Sequence, residues 1–197
     1  MYNPIEIFQN NWQIAKSSKD TNAHYCSLST VSTDNQVSSR TLVLRGVTKD
    51  SFTLFFDSTS PKWQQLKSAN SFELLVFWPS LMQQYRIRGQ YSTIEPSVMQ
   101  NHWKMKPYNS KILDHFRAQY KTQSSSLNSR DELLIGIEAL KNRFSHAEDI
   151  PFPSNATGIS IKANYMETWQ GSDTDLLHER HLYTLLDGVW NRKILVP

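Results

Sequence analysis

With 197 residues, 39% of them hydrophobic and 12% aromatic, the chain can bury one sizeable core and is too apolar to be disordered throughout. A formal net charge of +3 is mildly basic: it admits an anionic ligand, but the 21 Lys and Arg are scattered rather than concentrated as in a nucleic-acid binder. The single cysteine, Cys26, excludes an internal disulfide and fits a reducing compartment; with no signal-peptide pattern at residues 1–11 and no apolar run of about 20 residues, the expected location is the cytoplasm, away from the membrane.

In chain order, residues 4–16 place Ile5, Phe8, Trp12 and Ala15 at spacings of three and four behind Pro4, which predicts an amphipathic helix acting as a lid or flank. Residues 24–31 and 37–45 read as a hairpin turned at Asp34-Asn35; in its second strand Leu42 and Leu44 alternate with Thr41, Val43 and Arg45. A third strand at 52–56 ends in the breaker 57–61, where Ser60 is placed to cap, and Pro61 to open, a short helix at 62–68. An almost continuous apolar run at 72–78 and an alternating one at 83–91 complete five strands. Helices follow at 98–105 and 109–120 on either side of Pro107, and the capping box Ser129-Arg130-Asp131-Glu132 opens another that runs to residue 144. Strands return at 158–169, 180–186 and 190–196, the last two joined by an Asp187-Gly188 hairpin turn.

Strands placed early and late around a block of helices predict a mainly β chain with flanking helices, closed as an antiparallel barrel. The expected organisation is a single domain over residues 1–197, with an N-terminal helix in 1–20, a helical insertion at 97–145 and C-terminal strands at 156–197. There is no glycine-rich nucleotide fingerprint and only 6 glycines, so a phosphate must be held by side chains. The histidines and Cys26 show no metal-ligand spacing, and no metal is expected.

Two clusters suit an anion. Ser38-Ser39-Arg40-Thr41 puts hydroxyls and a guanidinium on a strand, and Ser60-Pro61-Lys62 puts a hydroxyl and an ammonium at a helix start. A third set, Trp169-Gln170-Gly171 with His178-Glu179-Arg180, suits a flat heteroaromatic. Singly, Trp169 also reads as core, His178 as a hydrogen-bonded surface residue and Arg180 as half of an ion pair.

In order and spacing these pieces resemble the pyridoxine/pyridoxamine 5'-phosphate oxidase family over nearly the whole chain. The resemblance is carried by Asn22-Ala23, by Leu28-Ser29-Thr30-Val31, by Ser38 through the run Arg40-Thr41-Leu42-Val43-Leu44-Arg45-Gly46, and by Phe77-Trp78-Pro79 with Gln84 and Arg86. Its closing part is Glu167-Thr168-Trp169-Gln170-Gly171, Leu177-His178-Glu179-Arg180, Trp190 and the terminal Leu195 and Pro197. It implies an FMN-binding split β-barrel that works as a homodimer, with FMN between two copies. It also implies hydride transfer from a small phosphorylated heterocycle, oxygen as acceptor and pyridoxal 5'-phosphate as product.

By the same resemblance the FMN contacts are Arg40, Thr41, Leu42, Val43, Phe55, Phe56, Lys62, Gln84, Gln123, Ser124, Trp169 and Arg180. An alignment without a short insertion before Gln123 selects Gln119 instead. The substrate phosphate maps to Arg45, His102, Lys106 and Ser110, and His178 orients the reacting carbon as the candidate catalytic residue. Two positions depart from the pattern: Pro61 replaces a basic residue beside Lys62, and Leu176 replaces the arginine that normally lies against the substrate ring. Arg117 and Arg192 are the guanidiniums named as candidates to compensate for Leu176. The departures favour a second reading, an FMN-dependent oxidase of another heterocycle; a third is a flavin- or pyridoxal-phosphate-binding protein without turnover.

Overall fold

The computed structural model describes residues 3–197; Met1 and Tyr2, the start of the expected N-terminal segment, lie outside the described residues. Six antiparallel strands, β1 (Tyr25–Val31), β2 (Val37–Val47), β3 (Ser51–Asp57), β4 (Phe72–Trp78), β5 (Gln83–Thr93) and β6 (Ala156–Gln170), follow the order β3-β2-β1-β4-β5-β6. Strand β6 then pairs back onto β3 and closes the barrel. The closing strand has 15 residues, long enough to serve two partners: Ala156 to Lys162 pair with β3, and Tyr165 to Gln170 pair with β7 (Glu179–Leu186). The sheet therefore splits along β6, and β7 leaves the barrel in a hairpin with β8 (Val189–Leu195). Asp187 and Gly188, at φ 51° and 78°, supply the two left-handed residues of a type I′ turn.

The register between β5 and β6 shifts between Arg88 and Gly89, where the backbones close up. A Cβ on Gly89 would lie 2.0 Å from the Lys162 carbonyl oxygen, so only glycine keeps the two strands paired there.

The barrel interior is filled by alternate, inward residues such as Leu28, Leu54, Leu74, Val76, Ile87 and Ile161. One end is stoppered by α1 (Pro4–Ser17), whose first turn is set by Pro4 and by the Asn3 side chain accepting from the Ile5 amide. The Phe8 ring of α1 sits 5.0, 4.9 and 4.8 Å from the rings of Phe52, Trp78 and Tyr85. Asn11 Nδ2 donates to the Tyr85 hydroxyl at 2.7 Å and Trp12 Nε1 to the Ala23 carbonyl at 2.6 Å. The helix expected as a lid or flank is thus part of the core, because its apolar stripe has the barrel mouth to fill.

Helix α2 (Pro61–Ala69) opens at Pro61 as expected, but the Ser60 hydroxyl donates back to the Asp57 carbonyl at 2.6 Å and caps no helix amide. Helices α3 (Pro96–Lys104), α4 (Tyr108–Gln119) and α5 (Arg130–Arg143) pack a second cluster around Trp103, Ile112, Phe116, Leu140, Phe144 and Ile150. At the start of α5, Ser129 accepts from the Glu132 amide at 3.3 Å, while the Glu132 carboxylate accepts from Asn128 N at 2.8 Å, one residue before the amide a capping box uses. Among the described residues no helix is long and apolar enough to cross a membrane.

Candidate active site

Where the barrel wall meets the second cluster there is a cavity of about 510 Å³, within the ~300–1,000 Å³ span of small-molecule sites. Strand β2 gives it Thr41, Leu42, Val43 and Arg45, and β3 gives it Phe55 and Phe56. Facing them are Lys62 from the first turn of α2, His102 from α3, Lys106 from the α3–α4 turn and Gln123 from the loop after α4. Asp114 and Arg117 of α4 also line it.

Lys62 is only 5% exposed, and its Nζ donates to Gln123 Oε1 at 3.0 Å. Among the described residues it forms no ion pair with a carboxylate. Burial, followed by the charges of Arg40 and Arg117, pushes its ammonium down to about 8; the Asp57 charge opposes this only in part. Asp57 is already engaged: Oδ1 accepts from the Thr59 amide at 2.7 Å and hydroxyl at 2.6 Å, and Oδ2 accepts from Asn155 Nδ2 at 2.6 Å. A buried cation without a counter-ion is costly, and an incoming phosphate removes that cost. The donor set therefore fits the phosphate of FMN, and the apolar wall of Leu42, Val43, Phe55 and Phe56 fits a flat ring beside it.

Arg40 does not line the cavity. Its NH1 donates to the Leu28 carbonyl at 3.1 Å and Thr30 Oγ1 at 2.6 Å, and its NH2 donates to Gln65 Oε1 at 3.2 Å. Of the two glutamines left open by the resemblance, Gln123 faces the cavity; Gln119 donates to His115 Nδ1 at 3.3 Å and accepts from Arg143 at 3.5 Å. Ser124, at φ 72°, is exposed and is not part of the lining.

Of the residues expected to hold a substrate phosphate, Arg45 is exposed, and the His102 ring meets Phe55 edge-on at 4.8 Å. Lys106 is paired with the Asp114 carboxylate, which also accepts from Arg117 NH1 at 3.3 Å. Ser110, in the first turn of α4, lies outside the lining. The role of Asp114 was missed by sequence reasoning, as was the place of Arg117 in this cavity. Their i,i+3 spacing was the available signal, but the same spacing marks ordinary surface pairs.

The remaining candidates form a second group. Phe77, Gln84, Trp169 and Arg180 stand opposite one another across β4, β5, β6 and β7, one aligned row on the outside of the sheet. Arg180 NH2 bonds Glu167 Oε1 at 2.7 Å and NH1 donates to the Val196 carbonyl at 3.0 Å. Glu167 passes the chain of charges to Arg86 at 3.2 Å, Arg86 passes it to Glu73 at 2.8 Å, and Glu73 passes it to Arg88 at 2.7 Å. Burial alone raises the Glu167 carboxyl, but the Arg180 hydrogen bond and the Arg86 and Arg180 charges outweigh it and hold the group below its ordinary value. The His178 ring lies 4.8 Å from Trp169, and its Nδ1 accepts from the Ser172 amide at 3.1 Å. Leu176, with φ 59°, is 70% exposed. Neither the row nor His178 lines the cavity.

The family model described as pyridoxamine 5'-phosphate oxidase, FMN-binding domain, matches residues 6–95. The pyridoxine/pyridoxamine 5'-phosphate oxidase of Cytophaga hutchinsonii is 31% identical over 190 residues, covering 95% of this chain and 86% of that protein. That of Crocosphaera subtropica is 31% identical over 198 residues, covering 99% and 90%. Among solved structures, PhzG from Burkholderia lata 383, in complex with tetrahydrophenazine-1-carboxylic acid, has a TM-score of 0.85 at 23% identity, covering 99% of this chain and 93% of that one. A pyridoxamine 5'-phosphate oxidase-related, FMN-binding protein from Nostoc punctiforme has a TM-score of 0.76 at 17% identity, with both chains covered in full. Both structures share this fold. The chain belongs to the pyridoxine/pyridoxamine 5'-phosphate oxidase family and carries its FMN-binding domain.

Proposed function

We propose that the chain is an FMN-dependent oxidase of a small phosphorylated heterocycle, with pyridoxamine or pyridoxine 5'-phosphate as the leading candidate, and that it works as a homodimer. The observation that supports this best is the cavity's charge: the buried Lys62, which has no ion-pair partner among the described residues, lines it together with Arg45, Lys106 and the apolar side chains of Leu42, Val43, Phe55 and Phe56. Lys62 and Gln123 hold the cofactor's polar end, while Thr41, Leu42, Val43, Phe55 and Phe56 pack beside it. When bound, FMN would take a hydride from the substrate's exocyclic carbon and oxygen would be reduced to hydrogen peroxide; an alcohol would give pyridoxal 5'-phosphate directly, and an amine would give it once water replaces the nitrogen and ammonia leaves. Arg45 and Lys106 draw the substrate's phosphate, with His102 beside them and Ser110 at the edge of α4, and His178 orients the reacting end. Misplacing a reacting carbon by ~1 Å can cost about 100-fold in rate, so orientation is this chain's main contribution to the chemistry.

Gln84, Trp169 and Arg180 line no part of the cavity of their own chain. In this reading a second copy brings that row, with His178, against the cavity, and each of two sites takes residues from both copies. A second reading, an oxidase of a less polar heterocycle, is favoured by the exposed Leu176 and by Asp114, which already neutralises Lys106.

The test is anaerobic. Protein reconstituted with FMN is mixed with pyridoxamine 5'-phosphate, and the visible flavin bands are followed. Bleaching that air reverses supports the oxidase. A flavin that stays oxidised with this compound but bleaches with an unphosphorylated heterocycle supports the second reading. A flavin that no amine or alcohol reduces contradicts both.

A further inference from the structure

We propose that His178 meets the substrate as a hydrogen-bond donor through Nε2, with Ser172 and Asp175 as the positioning residues that set its tautomer; this rests on the reading that His178 orients the reacting end. A backbone amide can only donate, so the bond from Ser172 N at 3.1 Å requires a bare lone pair on Nδ1. The proton of the neutral ring then sits on Nε2, the other ring nitrogen. An imidazole so held has no lone pair to offer at Nε2, and the one at Nδ1 is taken. His178 therefore presents a donor and is not the base that removes a proton from the substrate. The matching group beside the reacting carbon is an acceptor, either a ring oxygen or the lone pair of the exocyclic amine or alcohol.

The loop that fixes this arrangement is held at both ends. At its start the Gly171 amide donates to the Met82 carbonyl at 2.8 Å. A Cβ on Gly171 would lie 2.9 Å from Trp169 Cη2 and 3.0 Å from Met82 Cβ, so a side chain there would push the indole away. Ser172 follows directly and takes its place from that contact. At the far end Asp175 Oδ1 accepts from the Ser172 hydroxyl and, at 3.0 Å, from the Leu177 amide, which closes the turn and returns His178 to the Ser172 amide. The same two bonds, the Ser172 hydroxyl first, hold the Asp175 carboxyl below its ordinary value. Leu176 takes a left-handed φ of 59° inside the turn, and the Trp169 ring, 4.8 Å away, packs beside the imidazole.

The experiment reads the two ring nitrogens directly. Full-length protein with isotopically labelled histidine nitrogens is followed by NMR at about pH 8, above the ordinary imidazole value of about 6.5. His178 is picked out of the 6 histidines as the signal missing from His178→Gln. The expected wild-type result is a bare Nδ1 and a protonated Nε2. Ser172→Pro, which has no amide hydrogen, and Asp175→Ala, which opens the turn, should both shift the ring toward a mixture of tautomers. A wild-type Nδ1 that carries the proton overturns the proposal, as does a tautomer ratio that neither variant moves. A second arm follows anaerobic reduction of the FMN-loaded protein by pyridoxamine 5'-phosphate. His178→Ala should slow bleaching about 100-fold, while His178→Gln, whose side-chain amide restores a donor, should recover to within about tenfold of the wild type. A Gln variant as slow as the Ala variant overturns the donor role. A wild-type flavin that this compound does not reduce overturns the substrate reading beneath the proposal, and the ring nitrogens still decide the tautomer.

Discussion

On the outer face of β4 to β7 the guanidiniums of Arg88, Arg86 and Arg180 interleave with the carboxylates of Glu73 and Glu167 at 2.7 to 3.2 Å. In the cavity, Lys62 is buried with a glutamine oxygen as its partner and two further cations in electrostatic reach. The first arrangement is complete within the chain and contributes to its own stability. The second is incomplete until an anion arrives. This difference, more than the number of positive residues, separates a structural charge network from a binding site.

The largest effect that breaks the comparison is expected from Lys62→Met. It should raise the FMN Kd about 100-fold, with little change for riboflavin, and raise the thermal midpoint of the apo-protein because an unpaired buried charge is gone. A midpoint that falls instead would mean that Lys62 already has its counter-charge.

The pH dependence is next. In the folded apo-protein the Lys62 ammonium is lowered from 10.5 to about 8. FMN needs it charged, so FMN affinity should fall by up to about tenfold per pH unit above 8, while riboflavin affinity stays level. Between about 8 and 10.5 the unfolded chain holds the extra proton, so the apo-protein should gain stability as pH rises through that window. Titrations of both flavins and thermal melts across pH 7 to 11 check the two signs.

Glu73→Gln sharpens the contrast from the other side. Burial by itself raises the Glu73 carboxyl, but hydrogen bonds from Arg86 and Arg88 outweigh this and hold it low. The pair is partly exposed, so the variant should lose about 1 kcal/mol in denaturant unfolding and keep its FMN Kd. The smallest effect is assigned to Asp114→Asn, which frees Lys106: KM for a phosphorylated substrate should fall about threefold, with unphosphorylated analogues unaffected.

Much of the fold was legible because strand alternation and turn chemistry are local. The run 72–78 emerged with the expected bounds, and Asp187-Gly188 could serve a two-residue hairpin and little else. The pairing of β3 with β6 spans about half the chain and leaves no local signature, yet it is what closes the barrel. The α1 stripe was visible, but not that Phe8 would enter the barrel mouth. In the site, the resemblance named Lys62 and Gln123, and the structure added that they touch. Lys106 read as a free phosphate ligand because its partner Asp114 lies across the bend between two helices, where residue spacing carries no clue. The resemblance named Arg40, and the structure added that its head group is bonded to Leu28, Thr30 and Gln65, which no local pattern of a strand arginine beside hydroxyls reveals.

The central claim, that the cavity of one copy and the outer row of another form one FMN site, is tested most directly by mixing two defective proteins. Lys62→Met lacks the cavity half, and Trp169→Ala lacks the row half. After unfolding and refolding together in equal amounts, random pairing of two copies should restore about a quarter of the wild-type FMN-binding sites, since each mixed dimer has one site with both halves intact. Binding that stays at the level of the separate variants would place both halves in a single chain and contradict the account.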